Sequence, residues 1–161
     1  MAVDYPVGLA TRIGFLLARA HLIAREEADR ALGEVGLTAK GYAALATVVG
    51  EAPISQQKLS RRLRMDPATM VDVIDELDRS GYVLRRRNPN DRREYALVTS
   101  GKGRTLFSRA TKALNAAERE TIRDLNADET STLRDLLGRI ARKPGNLTTS
   151  EMEKNALGAG G

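Results

Sequence analysis

The sequence predicts a mainly α fold in which short central helices and one β-hairpin lie between long terminal helices. Three observations carry this. Residues 9–35 and the stretch after Ser100 repeat apolar side chains at helical spacing. Two short helical segments, joined by a tight turn at Arg64-Met65, occupy residues 56–79. Residues 81–97 then read as strand, polar turn and strand, with Arg85, Arg86, Arg87, Arg92 and Arg93 on or beside the turn.

The first helix is predicted over residues 9–35. Leu9, Ile13, Leu16, Leu17, Ala20, Ala24, Ala28, Ala31, Leu32 and Val35 lie along one side, and Gly36 stops it. About 27 residues at about 1.5 Å each make roughly 40 Å, too long to bury its stripe on a small core alone. Thr38 is placed to cap a second helix carrying Tyr42, Leu45 and Val48, which ends near Gly50 before Pro53. Ser55 caps a short third helix, Gln56 to Leu63, with Leu59 and Leu63 inward. Asp66-Pro67 opens a fourth: a carboxylate cap, then proline at the first helical position, where its missing N–H costs nothing. Met70, Ile74 and Leu77 share one face, and Ser80-Gly81 ends the helix.

In the hairpin, Asn88, Pro89, Asn90 and Asp91 supply turn chemistry. Thr99 or Ser100 caps a fifth helix bearing Leu106, Phe107, Ala110, Leu114, Ala117, Ile122 and Leu125. Asn126 and Glu129 fit a capping box for a sixth, with Leu133, Leu136, Leu137 and Ile140. Residues 144–161 are small, polar and Gly-rich and read as a weakly ordered tail. Terminal helices with apolar stripes and no intrachain cover pair most simply with a second copy of the chain.

Composition narrows the chemistry. There is no cysteine, which excludes disulfides and thiolate metal sites. The single histidine, His21, leaves no multi-histidine site within one chain, and no cofactor is implied. No apolar run reaches the roughly 18 residues of a membrane span, and the N-terminus lacks the regions of a signal peptide, so a cytoplasmic location is expected. Asp72, Asp75, Glu76 and Asp78 read as helix-surface charges rather than an acid–base pair. No nucleophile–base arrangement or phosphate-binding glycine loop accompanies them, so no enzyme is expected.

The charge is unevenly placed. Residues 55–104 hold 12 Lys or Arg against 7 Asp or Glu, an excess equal to the net +5 of the whole chain. A basic patch of this kind is the footprint of a polyanion.

Ser55-Gln-Gln-Lys-Leu-Ser-Arg-Arg-Leu through Asp66-Pro-Ala-Thr-Met, then Leu77-Asp-Arg-Ser-Gly-Tyr-Val-Leu-Arg-Arg, then Asn88-Pro-Asn-Asp-Arg-Arg, resembles the MarR (multiple antibiotic resistance regulator) family, from about residue 9 to 142. The resemblance implies a winged helix-turn-helix with the β-hairpin as wing and with long N- and C-terminal dimerisation helices. It divides the chain into an N-terminal dimerisation helix (1–36), a DNA-binding lobe (37–99), C-terminal dimerisation helices (100–143) and the tail (144–161). It implies a homodimer on double-stranded DNA at a pseudopalindromic operator, usually as a repressor, released by a small, often acidic or aromatic, effector. A winged helix that recruits a protein instead is the rival reading.

Carried over residue by residue, the resemblance makes the fourth helix the recognition helix. Pro67, Ala68, Thr69, Val71 and Asp72 would face the major groove, and the helix N-terminus would favour phosphate. Ser55, Gln56 and Gln57 would meet the DNA backbone. In the wing, Arg86, Asn88, Asp91, Arg92 and Arg93 would contact DNA, with Asp91 orienting Arg93 into the minor groove and the strand arginines mostly on phosphates. His21, near the apolar stripe of the first helix, is the candidate for the effector pocket.

Three residues depart from the family pattern. Asp72 stands where relatives often carry arginine or a neutral polar residue. Arg64 occupies a turn position where glycine is frequent, at a cost of about 1 kcal/mol if left-handed. Thr99 replaces a leucine just after the wing.

Overall fold

The computed structural model describes residues 7–87 and 95–142. The chain divides into two compact units, residues 1–121 and 122–161.

The first unit begins with α1 (Val7–Ala10) and α2 (Ile13–Glu34). These replace the single helix predicted over 9–35. Arg12 is extended, with φ −78° and ψ 122°, and separates the two. Gly8, Thr11 and Gly14 crowd this point with poor helix formers, which the apolar periodicity does not register. Gly36, at φ 79°, turns the chain after α2 in the left-handed region.

Thr38 caps α3 (Ala39–Glu51) by accepting from the Gly41 N–H at 3.0 Å. Past α3 lies an element the sequence did not announce, the two-residue strand β1 (Ile54–Ser55). Ser55 also caps α4 (Gln56–Leu63), its hydroxyl accepting from the Lys58 N–H at 3.3 Å. Arg64 ends α4 in the left-handed region, at φ 50° and ψ 37°. The turn is closed by the Met65 N–H on the Ser60 carbonyl at 3.1 Å and by the Ser60 hydroxyl on the Met65 carbonyl at 2.6 Å. Asp66 then caps α5 (Pro67–Arg79), with proline in the first turn as expected.

The hairpin is β2 (Val83–Arg87) and β3 (Tyr95–Thr99). The sheet has the order β1-β3-β2 and is antiparallel throughout, so β3 is central. Its register pairs Val83 with Thr99, Arg85 with Leu97 and Arg87 with Tyr95. The unit closes with α6 (Gly101–Thr121), shorter at its C-terminal end than the helix predicted to include Ile122 and Leu125. Ser100, rather than Thr99, is its cap: the hydroxyl accepts from the Gly103 N–H at 2.9 Å.

The core joins α3, α4, α5, the sheet and α6 through Leu45, Val48, Ile54, Leu59, Met70, Ile74, Val83, Leu97 and Leu106. Tyr42 of α3 stacks on Phe107 of α6, with ring centroids 5.8 Å apart, and its hydroxyl lies 3.2 Å from that of Thr111. The N-terminal part of α2 is outside this core: Ile13 is 72% and Leu16 51% exposed.

The second unit holds α7 (Ala127–Ala141), opened by the capping box of Asn126 and Glu129. No residue of α7 is buried, and Leu133, Leu136, Leu137 and Ile140 are all exposed. No described helix is long and apolar enough to cross a membrane.

Candidate nucleic-acid interface

Three pieces of backbone form the candidate interface: the start of α4, the start of α5, and the hairpin strands. The buried face of α5 is Met70, Val73, Ile74 and Leu77. A helix has 3.6 residues per turn, so burying these four turns the complementary positions outward. Pro67, Ala68, Val71 and Asp72 are exposed and Thr69 is half-buried, as expected for an outward-reading helix. At the start of α4, Gln57 is exposed and Ser55 and Gln56 are half-buried.

The N-terminus of α5 departs from expectation. Its free N–H groups were expected to favour a phosphate, but the carboxylate of Asp66 already takes the Thr69 N–H at 2.9 Å. That backbone hydrogen bond holds the Asp66 carboxyl below its ordinary value of 3.8 and keeps it ionised. A fixed negative charge therefore stands where an incoming phosphate would dock, so binding there through the helix end alone is disfavoured.

The arginines of β2 divide by strand alternation. Arg85 and Arg87 share the face of buried Val83, whereas Arg86 is on the opposite face with Leu84. Arg85 was expected to meet phosphate with the other strand arginines. It instead forms ion pairs with Asp75 and with Asp78, the latter at 3.1 Å. Arg86 and Arg87 remain exposed. Asn88, Asp91, Arg92 and Arg93 lie outside the described residues.

Two other basic groups near the site, Arg62 and Lys102, are occupied within the fold. Arg62 pairs with Glu51 at 2.9 Å. The Lys102 ammonium donates to the Ser80 carbonyl at 3.0 Å, at the C-terminal end of α5, and lies 4.9 Å from the Tyr82 ring centroid. Lys58 and Arg61 are exposed on α4, three residues apart and hence on neighbouring positions of its surface. The Asp72 side chain has no hydrogen bond or ion pair with another described residue, and Arg85 is committed to Asp75 and Asp78.

His21 is exposed on α2, next to exposed Leu22 and Ile23, so no pocket encloses it within the described residues. No group of three or more described His, Cys, Asp or Glu side chains could hold a metal ion.

Residues 37–95, from just before α3 to the first residue of β3, match the sequence model of the MarR family. Known structures agree over most of the chain. A probable transcriptional regulator from Pseudomonas aeruginosa is 32% identical, over 82% of this chain and 98% of its own, with a TM-score of 0.70. The transcriptional repressor CouR, bound to a 23-mer DNA duplex, is 27% identical over 87% of this chain and all of its own, with a TM-score of 0.75. The Mycobacterium tuberculosis protein Rv2887 is 25% identical in both of its complexes. The complex with DNA covers 85% of this chain and 98% of its own at a TM-score of 0.69. The complex with p-aminosalicylic acid covers 81% and 98% at 0.67.

Proposed function

The chain belongs to the MarR family of transcriptional regulators, and we propose that it is a homodimeric repressor that reads a pseudopalindromic operator and is released by a small acidic or aromatic ligand. The observation that carries the reading is the outward face of α5. Four core anchors hold this helix rigidly while Ala68, Val71 and Asp72 stand clear of the protein surface. A helix anchored in this way can enter a major groove without reorganisation. Ala68 offers a methyl group to thymine, and the Thr69 hydroxyl can bond a base or a phosphate. Exposed Arg86 and Arg87 extend the basic surface along the hairpin.

Dimerisation follows from what one subunit leaves uncovered. On α2, Ile13, Leu16, Leu22 and Ile23 are exposed, and on α7, Leu133, Leu136, Leu137 and Ile140. Apolar stripes of this extent are stable in water when a second copy covers them. Two recognition helices related by the dimer axis would sit about one helical turn, roughly 34–36 Å, apart on an inverted repeat. A ligand that binds better to a dimer with a different lobe spacing would lower the population able to bind DNA. The p-aminosalicylic acid complex of Rv2887 supports a small acid as that ligand.

The test is a fluorescence-anisotropy titration with duplexes from the promoter of its own locus, followed by footprinting. A protected palindrome of about 16–20 base pairs, with log affinity falling linearly against log salt, is expected. Absent binding, or binding indifferent to salt, would overturn the reading. Arg93→Ala should weaken operator binding strongly if that side chain enters the minor groove.

A further inference from the structure

Arg85 ties the outgoing part of the hairpin to α5. Its guanidinium reaches two carboxylates of that helix, donating to Asp75 through one terminal nitrogen and to Asp78 at 3.1 Å through the other. The two aspartates are three residues apart and so stand together on the helix surface. Arg85 lies where β2 leaves the core: Val83 is buried, Leu84 half-buried, and Arg85, Arg86 and Arg87 exposed. Apolar packing therefore holds β2 against the domain only up to Leu84. Beyond it, β2 is held by its ladder to β3, whose Ala96 and Leu97 are buried and paired with β1, and its side chains reach α5 through this ion-pair fork.

We propose that Arg85 is a positioning residue, which fixes the angle of the hairpin against α5 so that both elements meet one duplex in a set relation. The inference rests on the reading of α5 and the hairpin as two parts of a single DNA grip. Its guanidinium nitrogens face two carboxylates, so Arg85 acts through the hairpin and not by touching DNA. A planar fork with several donors suits a bridge between two carboxylates, whereas a lysine ammonium is a point charge that holds one geometry less well. The same pairing offsets one of the two negative charges that Asp75 and Asp78 place on α5, which would otherwise repel phosphate.

The experiment is a coupling cycle read in both DNA binding and hairpin protection. Operator affinity is measured across salt concentrations for the wild type, Arg85→Ala, Arg85→Lys, the Asp75→Asn/Asp78→Asn pair and the triple variant. Arg85→Ala is expected to weaken operator binding about five- to tenfold in the wild-type chain, and to have almost no effect when both aspartates are already asparagine. The slope of log affinity against log salt stays unchanged, and Arg85→Lys falls in between. If Arg85 instead met a phosphate, its loss would lower that slope by about one, and this outcome overturns the proposal. An equal loss in both backgrounds overturns it too. Should Arg85→Ala fold poorly, Arg85→Gln replaces it in the same cycle. In the free protein, amide exchange in β2 and β3 quickens on Arg85→Ala if the fork holds the hairpin, and unchanged exchange refutes it. A wild type that binds no duplex overturns the function proposed above, and the exchange measurement then still decides whether Arg85 holds the hairpin.

Discussion

Gly103, in the first turn of α6, faces the backbone carbonyl of Tyr82 so closely that an added Cβ would stand 2.1 Å from its oxygen. The same added atom would lie 2.9 Å from the Cγ2 of Thr99. The Tyr82 carbonyl cannot easily withdraw, because it accepts the Ser100 N–H at 3.1 Å and lies 3.2 Å from the Ser100 hydroxyl. That hydroxyl also donates to the Gly81 carbonyl at 2.6 Å and caps α6. One small residue thus lets α6 start directly against the base of the hairpin. Gly103→Ala is expected to destabilise the fold by about 1–3 kcal/mol, as overpacking of a tight contact does. Urea denaturation measures it, and an unchanged midpoint would mean that the join has room to spare.

Thr99 sits in the same join with a buried hydroxyl that has no hydrogen-bond partner among the described residues. A buried hydroxyl without a partner costs about 1–3 kcal/mol, and valine has nearly the same shape without it. Thr99→Val should therefore raise stability by about 1 kcal/mol, seen as a higher thermal midpoint. A lower midpoint would show that the hydroxyl has a partner, such as a buried water.

Asp66 makes the start of α5 sensitive to acid. Its carboxyl is held below the ordinary value of 3.8 by the Thr69 N–H, so the folded state binds its proton less tightly than the unfolded chain does. The sign follows. The stabilisation is fully present above the unfolded value and is lost as pH falls through the lower folded value. Asp66→Ala should lower the thermal midpoint at neutral pH, and the gap from wild type should narrow as pH falls below about 4. A gap constant from pH 7 to pH 2.5 would assign the effect to packing instead.

The helices, their caps and the hairpin were legible because each depends on neighbours in sequence. Thr38, Ser55, Asp66 and Asn126 cap the helices that their spacing predicts, since the capped N–H lies two or three residues away. What escaped were features created by folding back. β1 is two residues long and exists only because β3 passes beside it. Asp75 and Asp78 read as solvated surface charges until the short turn at Ser80–Tyr82 brings Arg85 back along α5. The break at Arg12 escaped for another reason: apolar periodicity continues through it, while the local helix propensity does not. At the interface, the exposed face of α5 was legible from the spacing of its core residues. The filling of its N-terminus by Asp66 was implicit in the cap itself, because a carboxylate that caps a helix also occupies its anion site.

That carboxylate sharpens the position of Asp72, six residues further along, on the exposed face of α5. Asp72 is exposed and has no described partner, and Arg85 is engaged elsewhere. On a duplex, an unpaired carboxylate is repelled by every phosphate it approaches, whatever the sequence. A donor on a base edge, such as the cytosine amine, can compensate. Asp72 is therefore expected to work against binding in general and in favour of one base in particular. Asp72→Asn, nearly equal in shape but uncharged, should strengthen binding to random duplex while tolerating substitution at one operator position. The wild type should lose about 1–3 kcal/mol at that same position, the usual cost of a lost base contact. Competition binding against an operator set varied one base pair at a time reads both effects. If Asp72→Asn weakens random and operator DNA alike, the side chain supports the fold of α5 and does not read bases.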